Sequence, residues 1–395
     1  MNPFAVSSPS SKPHAPSYVI PYARQSIDEQ DVAAVCSVLR SDWLTTGPKV
    51  EQFEQAVADY VNAKHAVAVS SGTAALHAAM FALGVGPGDE VIVPPMTFAA
   101  TANCVLYQGG TPVFADVEAD TLLIDPAQVE TNITAKTKAI IGVDYAGQPC
   151  DWDALREIAD RHKLYLVDDG CHSLGAEYKG KKIGTLTDFT VFSFHPVKHI
   201  TTGEGGMITT DDEDLANRMR LFRNHGITSD FRDREIRGSW FYEMASLGYN
   251  YRLTDIQCAL GLSQLKKLPD FLTRRREIAK IYNGTFDELE GISPLSVRDD
   301  VLHAYHLYVV RVSTDKCQCD RAQIFKELRE NGIGVNVHYI PVYLHPYYRK
   351  HFGTRPGCCP IAEKAYEEII SLPMFAGMTD DDVKEVINLL VKSFC

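Results

Sequence analysis

Phe189-Thr190-Val191-Phe192-Ser193-Phe194-His195-Pro196-Val197-Lys198, with Gly203-Glu204-Gly205-Gly206 close behind, is the stretch on which the reading of this chain turns. Its first six residues are strand-like, and a lysine follows almost at once, where a surface lysine would normally lie further out on a helix or loop. Two earlier apolar runs end in the same manner. Leu164-Tyr165-Leu166-Val167 ends in Asp168-Asp169, and Ala66-Val67-Ala68-Val69 ends in Ser70-Ser71-Gly72-Thr73. Three strands therefore deliver an amine, a carboxylate and a hydroxyl- and glycine-bearing turn at their carboxyl ends.

Taken singly, each feature has an ordinary explanation. A lysine after a strand is commonly a solubilising charge, paired aspartates often cap the next helix, and Ser-Gly-Thr before an apolar helix is usually an N-cap. A helix N-terminus with free N–H groups is also a ready phosphate site. Order and spacing favour a joint role. Pyridoxal phosphate (PLP) needs that trio, because it has a phosphate, a ring nitrogen to keep protonated and an aldehyde for a lysine. A carboxylate on the ring nitrogen would let the ring accept the electrons of a Cα carbanion, and a neutral lysine amine would move the proton.

Composition bounds the alternatives. A chain of 395 residues suggests two domains. The 45% hydrophobic and 23% charged residues are those of a globular protein. A net charge of −12 without a basic stripe argues against nucleic acid or an anionic membrane as partner. No apolar run approaches the roughly 20 residues of a spanning helix, and no signal peptide is evident. The ten cysteines form no paired CxxC pattern. Cys36, Cys104 and Cys258 fall in apolar helical patterns as buried thiols, Cys317/Cys319 and Cys358/Cys359 match no zinc spacing, and no metal is expected. The chain reads as reduced and cytoplasmic.

From about residue 30 to 265, strands and helices alternate. Val32, Val35, Cys36, Leu39 and Trp43 recur at helical spacing, as do Trp152, Leu155, Ile158 and Ala159. Between helices lie the continuous apolar runs Val91-Ile92-Val93, Val113-Phe114-Ala115 and Ala139 to Val143. Such strands imply burial on both faces, hence a largely parallel sheet covered by helices. Ligands of these α/β sheets bind beyond the strands' carboxyl ends. After Leu268-Pro269 the pattern changes to a charged helix (Phe271 to Phe286), an alternating strand (Tyr305 to Val312), a helix ending near Gly332, a short strand (Val335 to His338) and two helices (Ile361 to Ile370 and Asp380 to Phe394). The expected organisation is a Ser/Pro-rich mobile tail (1–17), a large domain (18–268) and a smaller α+β domain (269–395). A nicotinamide site is disfavoured. Gly84-Val85-Gly86-Pro87-Gly88 follows a helix and precedes a strand, the reverse of a dinucleotide loop, and reads as a turn.

Leu39-Arg40-Ser41-Asp42-Trp43-Leu44-Thr45-Thr46-Gly47-Pro48, Ser71 to Leu76, Phe192 to Lys198 and Gly248-Tyr249-Asn250-Tyr251-Arg252-Leu253 together carry a family resemblance. The chain resembles the DegT/DnrJ/EryC1/StrS sugar aminotransferases, PLP-dependent enzymes of fold type I, the aspartate-aminotransferase fold, over essentially its whole length from Tyr18. Val143-Asp144-Tyr145-Ala146-Gly147, Leu260 to Lys267 and Val337 to Tyr343 are most similar to the pseudaminic-acid branch of that family.

The resemblance implies residue roles. Lys198 would be the Schiff-base lysine and Asp169 the partner of the pyridine nitrogen, with Asp168 where the family often has Glu. His172 would meet the ring's hydroxyl side and Phe98 would stack on the ring. Gly72, Thr73 and Ser193 would hold the phosphate. Asn250 would reach the phosphate of the neighbouring subunit's cofactor, making the active unit a homodimer. Substrate contacts would fall on Tyr22, Asp42, Trp43, Leu44, Thr45, Tyr339, Ile340, Pro341 and Val342. Gly170 stands where the family usually has alanine.

The implied reaction has two halves. L-glutamate gives its amine to form pyridoxamine phosphate (PMP), and a nucleotide-linked 4-keto-6-deoxy sugar accepts it at C4. For the matched branch the acceptor is UDP-2-acetamido-2,6-dideoxy-β-L-arabino-hexos-4-ulose and the product UDP-4-amino-4,6-dideoxy-N-acetyl-β-L-altrosamine. Three other readings stay open: an aminotransferase acting at C3 or on another ketone, a sugar dehydratase of the same fold, and a non-catalytic binding protein. Lys198 counts against the dehydratase, in which that lysine is replaced.

Overall fold

A computed structural model describes residues 20–229, 231–287, 289–313 and 320–394. The expected tail and the Cys317/Cys319 pair lie outside them. Seven strands form the central sheet: β1 (His65–Val69), β2 (Glu90–Val93), β3 (Thr111–Phe114), β4 (Thr137–Val143), β5 (Tyr165–Asp169), β6 (Phe189–Ser193) and β7 (Gly206–Thr210). Their spatial order is β1-β7-β6-β5-β4-β2-β3. Pairing is parallel from β6 through β5, β4 and β2 to β3, while β7 runs antiparallel to both β6 and β1.

The apolar runs are continuous because both faces are covered. Successive side chains of a strand point to opposite faces. Ala66, Ala68, Ile140, Leu166, Phe192 and Met207 join one buried cluster, and Val67, Val69, Ile141, Val167, Val191 and Ile208 join another. Phe53 and Val57 from helix Pro48–Val61 cover the first face, together with Trp152, Leu155, Ile158 and Ala159 from helix Trp152–His162. The second face takes helix Gly72–Ala82, nine of whose residues are buried, and Ala216, Met219 and Phe222 of helix Glu213–Arg223. An apolar helix of this kind belongs inside a structure rather than on its surface.

A third cluster lies around a small antiparallel sheet of β8 (Ile292–Pro294), β9 (Tyr308–Val312) and β10 (Ile369–Leu372). Ile278, Tyr282 and Phe286 of helix Leu268–Phe286 pack there, with Ile324, Leu328, Val383, Val386 and Leu390 of two later helices.

Several details depart from the sequence expectations. The strand expected from Tyr305 begins only at Tyr308, since Tyr305 takes a left-handed backbone (φ 48°) that breaks extension. Val335 to His338 is no strand and makes only the bridge Asn336–Ser371. The helix expected to reach Ile370 stops at Glu368, because the β-branched pair Ile369-Ile370 is buried as part of β10. The helix expected to include Trp43 ends at Leu39, and its apolar stripe faces outward: Val32 and Leu39 are exposed, and Cys36 is half-buried. Cys104 and Cys258 are buried free thiols.

Arg275 ties the third cluster to the central site. Its buried guanidinium donates to the carbonyls of Tyr305 (3.0 Å), His306 (3.3 Å) and Met374 (3.0 Å). Burial pulls its pKa down to about 10. The replacement Arg275→Leu would strand three buried acceptors and release the turn that carries His306. It should cost about 3 kcal/mol or more in urea unfolding, and a loss below about 1 kcal/mol would show that these contacts matter little.

Candidate active site

The parallel strands end along one edge of the sheet, and the site is built there. β1 runs directly into helix Gly72–Ala82, whose N-cap Ser71 accepts from the Ala74 N–H at 3.1 Å. Among the described residues, the N–H groups of Gly72 and Thr73 have no protein acceptor, as expected of a first helical turn. Glycine at position 72 keeps this space clear: a Cβ there would lie in tight contact, 3.0 Å from Ser193 Cβ and 3.1 Å from Cys171 Sγ. The bare backbone and the Ser193 hydroxyl thus make a cradle suited to a phosphate.

Asp169 closes β5 and is almost wholly buried. Its carboxylate accepts from the Thr101 hydroxyl at 2.6 Å and the Cys171 N–H at 3.3 Å. Thr101 is in turn held by Thr97 at 2.7 Å. Thr97 and Thr101 are four residues apart, a helical spacing visible in the sequence and overlooked there.

Lys198 follows β6 after the turn His195 to Lys198, closed by the bond from its own N–H to the His195 carbonyl at 2.9 Å. Part of the side chain faces the cavity, yet protein surrounds the amine. Burial lowers its pKa below the ordinary lysine value, opposed by the negative potential of Cys171 and Asp169. Its Nζ lies 3.3 Å from His306 Nε2. His306 was missed in the sequence because a distant segment delivers it, through the left-handed turn at Tyr305. Burial and the nearby Lys198 amine hold the His306 imidazole well below its usual pKa, hence neutral.

His172 is also buried and neutral, its pKa pushed well down by burial and then by Lys198. Its Nε2 meets the Tyr339 hydroxyl at 3.2 Å. Phe98 is 63% exposed, a large aromatic face left open on the cavity wall. Tyr22, near the His338 ring at 5.7 Å, lines the same space. The cavity these groups enclose measures about 680 Å³, enough for a cofactor and part of a substrate.

Of the residues singled out from sequence, the structure brings Tyr22, Gly72, Thr73, Phe98, Asp169, His172, Ser193, Lys198 and Tyr339 to this cavity. Asp42, Trp43, Leu44, Thr45 and Asn250 do not line it. Thr45 bridges Thr254, Leu44 accepts from the Asp255 N–H, and Asn250 bridges Asn224. Thr46 and Gly47 instead line a second cavity of about 400 Å³ with Asn224, Arg223 and Arg252. Ile340 is exposed outside the cavity, and Pro341 and Val342 are buried. Val342 packs in the second core cluster and donates its N–H to Pro95 O at 3.0 Å, so its contact is with the core.

The groups present fit PLP: an amine, a fixed carboxylate, an open aromatic face and a helix N-terminus cleared by glycine converge on one cavity. Comparison with known proteins agrees. The model of the DegT/DnrJ/EryC1/StrS aminotransferase family matches residues 25–391. The spore coat polysaccharide biosynthesis protein SpsC of Bacillus subtilis (strain 168) is 45% identical over 373 residues, covering 94% of this chain and 96% of that protein. Helicobacter pylori PseC, an aminotransferase involved in the biosynthesis of pseudoaminic acid, superposes with a TM-score of 0.88 at 36% identity, over 95% of this chain and 99% of that one. The PMP form of Spr1654 from Streptococcus pneumoniae gives a TM-score of 0.89 at 36% identity, over 95% and 98%.

Proposed function

The chain belongs to the DegT/DnrJ/EryC1/StrS aminotransferase family, whose members are PLP-dependent transaminases of fold type I, and we propose that it aminates a nucleotide-linked 4-keto-6-deoxy sugar at C4 with L-glutamate as donor. The observation that carries this reading is the convergence of Lys198, Asp169 and the cleared N-terminus of helix Gly72–Ala82 on one cavity open to a large substrate. The likeness to PseC supports UDP-2-acetamido-2,6-dideoxy-β-L-arabino-hexos-4-ulose as the acceptor.

When bound, PLP supplies an electron sink for the carbanion formed at the amine-bearing carbon. In the proposed division of labour, Gly72 and Thr73 N–H groups and the Ser193 hydroxyl hold the phosphate. Thr101 and the Cys171 N–H fix the Asp169 carboxylate, which keeps the ring nitrogen's proton in place. The exposed face of Phe98 would hold the ring by stacking on it. The Lys198 amine, whose pKa burial lowers, would take the proton from glutamate Cα and hand it on, and in the second half would deliver a proton to sugar C4. His172, neutral and oriented by Tyr339, offers a hydrogen bond without added charge. Tyr22 and Tyr339 would contact the sugar.

Asn250 and Asp42 to Thr45 serve the neighbouring subunit's site in this reading, so the active unit is a homodimer. Both segments lie outside their own chain's cavity and are tied together through Thr254 and Asp255. Trp240 (85% exposed), Leu247 (73%) and Met244 (67%) form an apolar stretch leading to Asn250, and contiguous exposed apolar surface marks an association face. The cysteine pattern of the sequence, without paired CxxC motifs, fits a reducing, cytoplasmic setting.

A panel of UDP- and dTDP-linked 4-keto sugars, incubated with L-glutamate and read by product mass, tests the substrate. The UDP-linked N-acetyl substrate should give the 4-amino product fastest. Amination of none of the 4-keto sugars would remove the proposal, and a faster dTDP substrate would move it to another branch.

Mixing two inactive variants tests the shared site. In a mixed dimer, the Lys198→Ala and Asn250→Asp defects fall in one and the same site only if Asn250 acts across the interface. After subunit exchange, the mixed dimer then holds one site with both defects and one with neither, and activity should return to a fraction of wild type. With exchange established by labelled chains and Asn250→Asp inactive alone, no recovery would put Asn250 in its own chain's site.

A further inference from the structure

Directly behind Asp169 lie two more carboxyl groups that the transamination reading does not use. Asp168 precedes it on β5, and Asp144 follows the neighbouring strand β4. The strand register sets Gly142 opposite Asp168 and Val143 opposite Asp169, and the Asp144 N–H continues the pairing toward Asp169 O. Both side chains are fully buried, at 0% exposure.

Their partners are unequal. Asp144 Oδ1 accepts from the Cys150 N–H at 2.8 Å, and the Ser173 hydroxyl is also in reach. Asp168 has one donor, the Thr190 hydroxyl, at a long 3.3 Å. The remaining oxygens, Asp144 Oδ2 and Asp168 Oδ1, have no donor at all. Among the described residues neither carboxyl makes an ion pair, and the two are within hydrogen-bonding reach of each other. Two ionised carboxylates cannot satisfy that contact, since each only accepts. A single proton between the two carboxyl groups would resolve that conflict.

We propose that Asp144 and Asp168 share one proton, with Asp168 the neutral acid donating to the better hydrogen-bonded Asp144 carboxylate. The pair acts as a positioning device: it lets the ends of β4 and β5 bury three carboxyl groups while Asp169 is the one presented to the cavity. Its bearing on Asp169 rests on the role proposed for that residue above, whereas the proton sharing does not.

The electrostatic surroundings are consistent with this assignment. Burial lifts Asp168 well above the usual carboxylate range, with Asp144 and then Asp169 adding to it. Burial lifts Asp144 to about 7, against the hydrogen bonds from Ser173 and Cys150 and with Asp169 adding. The groups facing the pair are Asp169 and Cys171 beyond the end of β5, the Cys150 thiol with Glu118 behind it, and the hydroxyls of Thr190 and Ser173. Both folded pKa values are raised, so the native state keeps protons that the unfolded chain loses near pH 4. Stability is therefore fully present below that pH and falls as pH rises through about 7.

Cofactor-free protein tests the pairing independently of catalysis. Infrared spectra in D₂O at neutral pH should show a protonated-carboxyl C=O band in wild type that is absent from Asp168→Asn, whose amide replaces the shared proton. Thermal or urea unfolding across roughly pH 5 to 7 should give a wild-type unfolding constant that rises about tenfold per pH unit more than that of Asp168→Asn. Asp168→Ala, which leaves Asp144 without the donor, should be markedly less stable than Asp168→Asn. Should Asp168→Asn fail to fold, Asp144→Asn carries the same test, since its amide can donate to Asp168, and it too should lose the band. An unchanged infrared band and an unchanged pH slope in the folded variant would overturn the proposal. Loss of the band with transamination disproved would leave the pair intact and remove only its link to Asp169.

Discussion

Burial of the central sheet on both faces is the constraint from which the site follows. With both faces packed, β4, β5 and β6 run parallel, and their carboxyl ends emerge along one edge. Chain direction then does what no local contact could. Asp169, Ser193 and Lys198, with the N-terminus of helix Gly72–Ala82, arrive at a common cavity although up to 126 residues separate them in sequence (198 − 72). The antiparallel β7 completes the pattern by bringing Gly206 against the Ser71 backbone, where a side chain has no room.

Gathering polar groups at a buried edge has a cost, and the structure meets it with directed hydrogen bonds. Thr101 holds Asp169 from the helix that begins at Ala100, Thr190 reaches Asp168 from β6, and Cys150 caps Asp144 from the loop after β4. Arg275 performs the same task for the turn that delivers His306. The histidines around Lys198 stay neutral because burial dominates their titration. Burial likewise lowers the pKa of the Lys198 amine they surround.

Much of this was legible in the sequence, and the limits have physical causes. The strands showed themselves as unbroken apolar runs, and Gly72, Asp169 and Lys198 were readable because each follows a strand end directly. His306 was not, since its place depends on a left-handed residue and on Arg275, 31 positions upstream. Periodicity placed a helix over Val32 to Trp43, where one runs Glu29–Leu39, but could not say that Val32 and Leu39 face outward, because a pattern records amphipathicity and not its partner. The Ile369-Ile370 pair continued a helical pattern until a place in the small sheet outweighed it. Asp42 to Thr45 and Asn250 were singled out by resemblance alone, and in the single chain they lie away from the cavity of Lys198.

The account stands or falls on the amine that closes the site. Borohydride reduction of the PLP-loaded protein, followed by proteolysis and peptide mass mapping, locates the lysine that carries the cofactor. A single reduced adduct at Lys198 is expected, and none at any position in Lys198→Ala. A cofactor fixed to another lysine in the wild-type protein would contradict it.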